Sequence, residues 1–174
     1  MAQGLKIACV GEPLIEVLAT SLPGNAALNV AGDTLNTAIY LRRALPAAHS
    51  VHFVTALGTD KMSDQMIAFM QAEGIETSGI MRRPDRLPGL YSITNDASGE
   101  RNFGYWRENS AARRLFQDGK NCDFSALAQF DLLYLSAISL AILPHPVRLA
   151  LLDWVAKYRQ KGGQFAFDSN FRPT

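Results

Sequence analysis

The chain has 174 residues, 48% of them hydrophobic and 19% charged, which is enough apolar material to bury a core and too little charge for a disordered chain. Seventeen Lys and Arg stand against sixteen Asp and Glu, a formal net charge of +1, so no overall field favours nucleic acid or an acidic membrane and any basic function must be local. Cys9 and Cys122 are the two cysteines, and their separation suits two free thiols in a reducing compartment, with the cytoplasm as the expected location.

The opening stretch MAQGLKIACVGEP is too short in its apolar part for a signal peptide or a membrane span. Residues 6–11, KIACVG, form a continuous apolar run closed by glycine, the pattern of a strand buried on both faces of a sheet. Residues 14–20 and 25–32 flank Pro23 and Gly24 and predict short strands in an extended excursion. The period then changes. In residues 33–45, Leu35, Ala38, Ile39, Leu41 and Leu45 follow helical spacing, and Asp33 is positioned to cap that helix just after Gly32.

Residues 51–58 predict the next strand, and residues 60–74 a helix opened by Asp60 and closed by Gly74. Arg82, Arg83 and Arg86 predict a solvated linker. Residues 89–96 and 101–107 lie on either side of Gly99 as a hairpin. Residues 130–138 return to strand, 144–163 to a helix stopped by two glycines, and 164–170 to strand. Strands alternating with helices predict an α/β fold, a doubly wound, mostly parallel sheet flanked by helices. The whole chain, 1–174, is expected to form part of one such domain, with a small antiparallel flap made from about 14–31 and 88–107.

Several chemistries have no support. No GxxxxGK[ST] occurs and no GxGxxG follows the first strand, which removes a P-loop and a dinucleotide fingerprint. His49, His52 and His145 show no ligand spacing, so no metal cage is expected. Ser136 and Ser139 lack the GxSxG elbow of a hydrolase.

Three stretches remain. AGDTLN, residues 31–36, opens a helix whose free N–H groups, with Asp33 and Asn36, could meet a hydroxylated ligand approaching Gly32; an ordinary capped helix has the same residues. YWRENSAARR, residues 105–114, sets Arg107 beside Tyr105 and Trp106. A guanidinium fork suits a carboxylate while rings cover apolar surface; stacked single-stranded bases and a plain solvated strand end are the rival uses. FDSNFRP, residues 167–173, brings Asp168, Asn170 and Arg172 to a strand's carboxyl end, where ligands of α/β sheets gather.

Taken together, GEPLIE, AGDTLNTAIYL, ALGTDKMSDQM, LPGLYSITND, GERNFGYWR, LYLSAISLAIL and FDSNFRP, in this order from about residue 5 to the end, resemble the ribokinase-like (PfkB) carbohydrate kinases. The resemblance implies a ribokinase-like fold with a β-sheet lid, ATP and Mg2+ as cofactors, and a sugar acid, 2-keto-3-deoxygluconate, as substrate. It places Gly32 against the substrate and Tyr105, Trp106 and Arg107 around it, with Arg107 meeting the carboxylate and Tyr91 and Asn36 as further contacts. Arg172 would lie between substrate and transferred phosphate in a supporting role, and Asn170 and Phe171 beside the nucleotide. A homo-oligomer through the lid sheet is also expected, and the near-neutral charge and short apolar N-terminal run predict no nucleic-acid or membrane partner.

The sequence departs from the family's pattern in two places. Ala31 stands where the family usually has a first glycine before Gly32. The Gly-Ala-Gly-Asp turn that carries the family's catalytic base and phosphate cradle occurs nowhere in the 174 residues, so the resemblance puts that base downstream of Thr174. The expectation is therefore the N-terminal part of a kinase, with the C-terminal part of the fold absent, inactive as given and poorly soluble as a monomer. A non-catalytic sugar-acid-binding or lid-paired half, and a related kinase for fructose or another sugar, are the alternatives.

Overall fold

The structure is a computed structural model that describes residues 4–170 except 21, 23, 97 and 120. The sequence candidates Phe171 and Arg172 lie outside the described residues. So does Thr174, the position beyond which the catalytic base is expected, and that expectation is therefore carried by sequence alone. In chain order the elements are β1 (Lys6–Val10), β2 (Leu14–Ala19), β3 (Ala26–Ala31), α1 (Asp33–Ala44), β4 (Ser50–Gly58), α2 (Lys61–Ala72), β5 (Ile80–Arg83), β6 (Gly89–Asn95) and β7 (Arg101–Trp106). The paired strands β8 (Gln117–Asp118) and β9 (Asn121–Cys122) follow, then β10 (Leu132–Ser136), α3 (Ala137–Ala141), α4 (His145–Gln160) and β11 (Gln164–Asp168).

The main sheet has the order β11-β10-β1-β4-β5, and its pairs are parallel. Its central strands are apolar on both faces because both faces are covered. Cys9 and Phe53 point to the side where α1 and α2 deliver Leu35, Ala38, Ile39, Met66 and Met70. Ala8, Val10, Val54, Leu133 and Leu135 point to the other, where Val147, Leu151 and Val155 of α4 join Phe124 and Phe130. From β1 the chain steps to β4 and β5 on one side and later to β10 and β11 on the other, so the strand order reverses at the β1–β10 boundary. That reversal opens a crevice outside the strands' carboxyl ends.

The two excursions form a second sheet of order β3-β2-β6-β7. It is mixed, and the antiparallel flap is corrected accordingly: β2 pairs with β3 and β6 with β7 antiparallel, whereas β2 and β6 run parallel, Leu14 opposite Gly89. Hairpin turns are legible locally; the pairing of two hairpins distant in the chain is not.

Three other expectations change. Arg82 and Arg83 belong to β5, a four-residue edge strand beside β4, and Arg82 pairs with Asp64 at 2.6 Å. Residues 137–141 leave the strand and turn into α3, where the Ser136 hydroxyl accepts from the Ser139 amide. Asp33 does not cap α1: Gly32 occupies that position with no side-chain cap, and Asp33 is the first helical residue. Cys9 is buried and Cys122 exposed, both free, and burial pushes the Cys9 thiol up to about 12. Among the described residues no helix is long and apolar enough to cross a membrane.

Candidate functional site

At the β1–β10 crevice the second sheet stands over the start of α1 and encloses a cavity of about 380 Å³. Its floor is the β3–α1 junction, Gly32 to Asn36, with Ile138 and Ser139 from the segment after β10 and Asn170 from the segment after β11. Its roof is one face of the second sheet: Tyr91 on β6, Phe103 and Tyr105 on β7, and Arg107 just beyond β7.

The floor is built by close approach. A Cβ on Gly32 would stand 2.6 Å from the Glu12 carbonyl oxygen and 3.2 Å from Pro13 Cα, so only glycine lets the two connections cross here. The first bond inside α1 runs from the Asn36 amide to the Gly32 carbonyl, 2.8 Å. With no side-chain cap at Gly32, the preceding first-turn N–H groups lack a helical partner and carry the positive end of the helix dipole. Asp33, freed from capping, accepts from the Asn170 side-chain amide at 3.3 Å. The Thr34 hydroxyl is buried with no partner.

The roof is an aromatic row with two charge-assisted contacts. Tyr91 and Tyr105 are cross-strand partners whose rings stack at 6.0 Å, and Phe103 stacks on Tyr105 at 6.4 Å. The Tyr91 phenol donates to the Glu16 carboxylate. Burial, and then that hydrogen bond, hold the phenol well above the ordinary tyrosine range, so at neutral pH it is a donor. Arg107 donates to the carboxylate of Glu12, which is buried and lines the same cavity.

Of the sequence candidates, Gly32, Asn36, Tyr91, Tyr105, Arg107 and Asn170 line this one cavity. Trp106 does not. Neighbours on a strand point to opposite faces, so the alternation that turns Tyr105 and Phe103 inward turns Trp106 outward, where it is 64% exposed. Ala31, paired with Leu14 at the end of β3, is outside the lining as well.

Glu12 and Phe103 line the cavity without having been singled out from the sequence, and Ser139, which lacks a hydrolase elbow, lines it too. Glu12 has a usable signal, an acid directly after the apolar run of a central strand. Phe103 has another, its two-residue spacing from Tyr105.

The arrangement combines hydrogen-bond donors from a helix N-terminus, a guanidinium, a phenol and a shelf of rings. Such a set suits a small ligand with hydroxyls and an anionic group. Among the described residues no group of three or more His, Cys, Asp or Glu could hold a metal ion.

Comparison with known proteins gives the site its context. The model of the pfkB family carbohydrate kinases matches residues 5–174. The 2-dehydro-3-deoxygluconokinase of Dickeya dadantii is 48% identical over 170 residues, a match covering 96% of this chain and 54% of that protein. The enzyme of the same name from Escherichia coli K12 is 45% identical, with 97% and 54% covered. Among solved structures, fructokinase with bound ATP from Xylella fastidiosa superposes with a TM-score of 0.77 at 26% identity, covering 97% of this chain and 49% of that one. The 2-dehydro-3-deoxygluconokinase of Thermotoga maritima, at 21% identity and a TM-score of 0.79, covers 97% and 52% and shares the fold. The chain spans about half the length of the curated relatives it matches.

Proposed function

The chain belongs to the pfkB family of carbohydrate kinases, and from that premise we propose that its full-length form transfers the γ-phosphate of ATP to a hydroxyl of 2-keto-3-deoxygluconate. One observation supports the choice of a sugar acid: the second sheet carries a guanidinium, Arg107, and the phenol of Tyr105 over a glycine-opened helix at the strand-order reversal. In this reading the second sheet is a lid. Arg107 and the uncapped N–H groups of α1 bind the carboxylate and nearby oxygens, Asn36 and Tyr91 meet hydroxyls, and the rings of Tyr105 and Phe103 cover the carbon chain and exclude water. Catalysis of phosphoryl transfer is mostly positioning and charge stabilisation, and these residues would supply the positioning of the acceptor.

ATP is the phosphoryl donor in this proposal, and Asn170 borders it on the acceptor side; its side chain already reaches Asp33 across the crevice. Mg2+ has no cage among the described residues and would come with the nucleotide's phosphates. No Gly-Ala-Gly-Asp sequence occurs in the 174 residues, so the base is proposed to follow Thr174 in the full-length protein, and the chain by itself to bind the acid without turning it over. Two free thiols fit a reducing compartment, the cytoplasm.

A second reading is supported by the outer face of the second sheet, where Leu28 and Trp106 are exposed. It is a homo-oligomer joined through the lid. For the main proposal, the full-length protein is assayed with ATP against 2-keto-3-deoxygluconate and fructose. Phosphorylation of the keto-deoxy acid is expected; ready phosphorylation of fructose with the acid untouched would refute the substrate assignment.

A further inference from the structure

We infer that Glu12 is a positioning residue for Arg107, a buried carboxylate that fixes how the guanidinium is presented to a sugar acid. The inference rests on the sugar-acid reading and adds a residue which that reading does not use. Glu12 lies in the short connection where the chain leaves β1 for β2, and Arg107 is the first residue after β7. Their contact therefore ties the entry of the second sheet to its exit, 95 positions apart in sequence.

The pair is sheltered. The Glu12 side chain is 1% exposed and that of Arg107 21%. Glu12 Oε2 accepts from Arg107 Nη2, while Oε1 is buried with no partner. Gly89, the first residue of β6, leaves room for that oxygen and for Leu14: a Cβ there would stand 2.6 Å from Leu14 Cδ2, 2.8 Å from Oε1 and 3.1 Å from Arg107 Cβ.

A half-satisfied buried carboxylate is a poor stabiliser, because desolvation offsets its attraction to the arginine and an apolar residue of similar size would serve folding as well. Its effect on the guanidinium is specific, however. An arginine offers several N–H donors in a rigid fork, so Glu12 can pin one edge and leave the rest for a ligand carboxylate. Fixing the side chain in advance removes rotamer freedom that binding would otherwise have to remove.

The test is a titration of the chain with 2-keto-3-deoxygluconate for wild type, Glu12→Gln, Arg107→Ala and the double variant, with thermal melting to confirm folding. Glu12→Gln is expected to weaken binding by about fivefold or more, the cost of ordering one long side chain, and to have no further effect once Arg107 is alanine.

Nitrogen-detected NMR of the ligand-free chain gives a second readout: the Arg107 Nη–H signals should be in slow exchange in wild type and averaged in Glu12→Gln. A dissociation constant for Glu12→Gln within about twofold of wild type, tighter binding, or an equal loss in the Arg107→Ala background would overturn the inference. If wild type binds no sugar acid, the substrate reading fails. The Arg107 signals still decide the contact, since slow exchange surviving in Glu12→Gln would overturn it.

Discussion

His52 shows how a single half-buried ring couples this fold to pH. Its Nε2 lies 3.0 Å from the Ser50 hydroxyl, its ring packs on Phe130 at 4.9 Å, and its Nδ1 is buried without a partner. Burial lowers its pKa, with Lys6 adding to the effect and Glu76 opposing it. A histidine whose folded pKa lies below its unfolded value stabilises the fold as the neutral ring. That stability is fully present above about pH 6.5 and is lost as pH falls toward the folded pKa. Urea midpoints measured between about pH 7.5 and 5 are expected to fall in this chain and to fall less in His52→Gln; equal slopes would show that another group is responsible.

At the same scale, the sequence makes Gly32, Asn36, Tyr91, Tyr105, Arg107 and Asn170 visible as candidates, and the structure gathers them round one cavity. Trp106 groups with its chain neighbours in the sequence, but strand alternation separates it from them in space. Glu12 is hard to single out because a lone acid after an apolar run has no visible reason until Arg107 stands beside it.

Among the elements, α1 and α2 start differently: α2 has a side-chain cap and α1 has none. Asp60 caps α2 fully: Oδ1 accepts from the Ser63 amide at 3.0 Å and Oδ2 from its hydroxyl at 2.7 Å. Burial works to raise the Asp60 carboxyl, but the hydrogen bonds from Ser63 and neighbouring amides outweigh it and hold it below the ordinary aspartate value. α1 has no such cap, and its first turn forms the cavity floor. Asp60→Ala is expected to lower stability by about 1 kcal/mol with sugar-acid binding unchanged, read from the urea midpoint and a titration; no change in the midpoint would contradict the capping role.

Helix and strand periodicity make most elements readable, to within a residue or two at their ends. β5 escapes notice because four residues rich in arginine carry no apolar pattern; it is a strand because β4 offers it an edge. The register of β2 on β6 escapes for a related reason, since pairing across the chain leaves no local mark.

At the scale of the molecule, apolar side chains are exposed at both sheets among the described residues. Beside β11, an edge strand of the main sheet, Phe167 is 47% exposed and Leu149 and Leu152 of α4 are exposed too. On the second sheet, Leu28 and Trp106 are exposed. Free strand edges next to apolar surface favour self-association. Sedimentation of the purified chain is expected to show species larger than the monomer, and Leu28→Asp should reduce them if the second sheet is the contact. A sharp, monodisperse monomer would contradict both expectations. The parallel sheet with helices on both faces is legible from the alternation of elements alone, whereas the mixed second sheet emerges only in three dimensions.

The role proposed for Arg107, held over the cavity that Gly32 floors, is to bind the carboxylate of a sugar acid. Calorimetric titration of 2-keto-3-deoxygluconate into the wild-type chain and into Arg107→Ala tests it most directly. Saturable binding by wild type is expected, with a loss of about 10- to 100-fold in the variant, the range for a charge-assisted hydrogen-bonded pair. Equal affinities in the two proteins would contradict it.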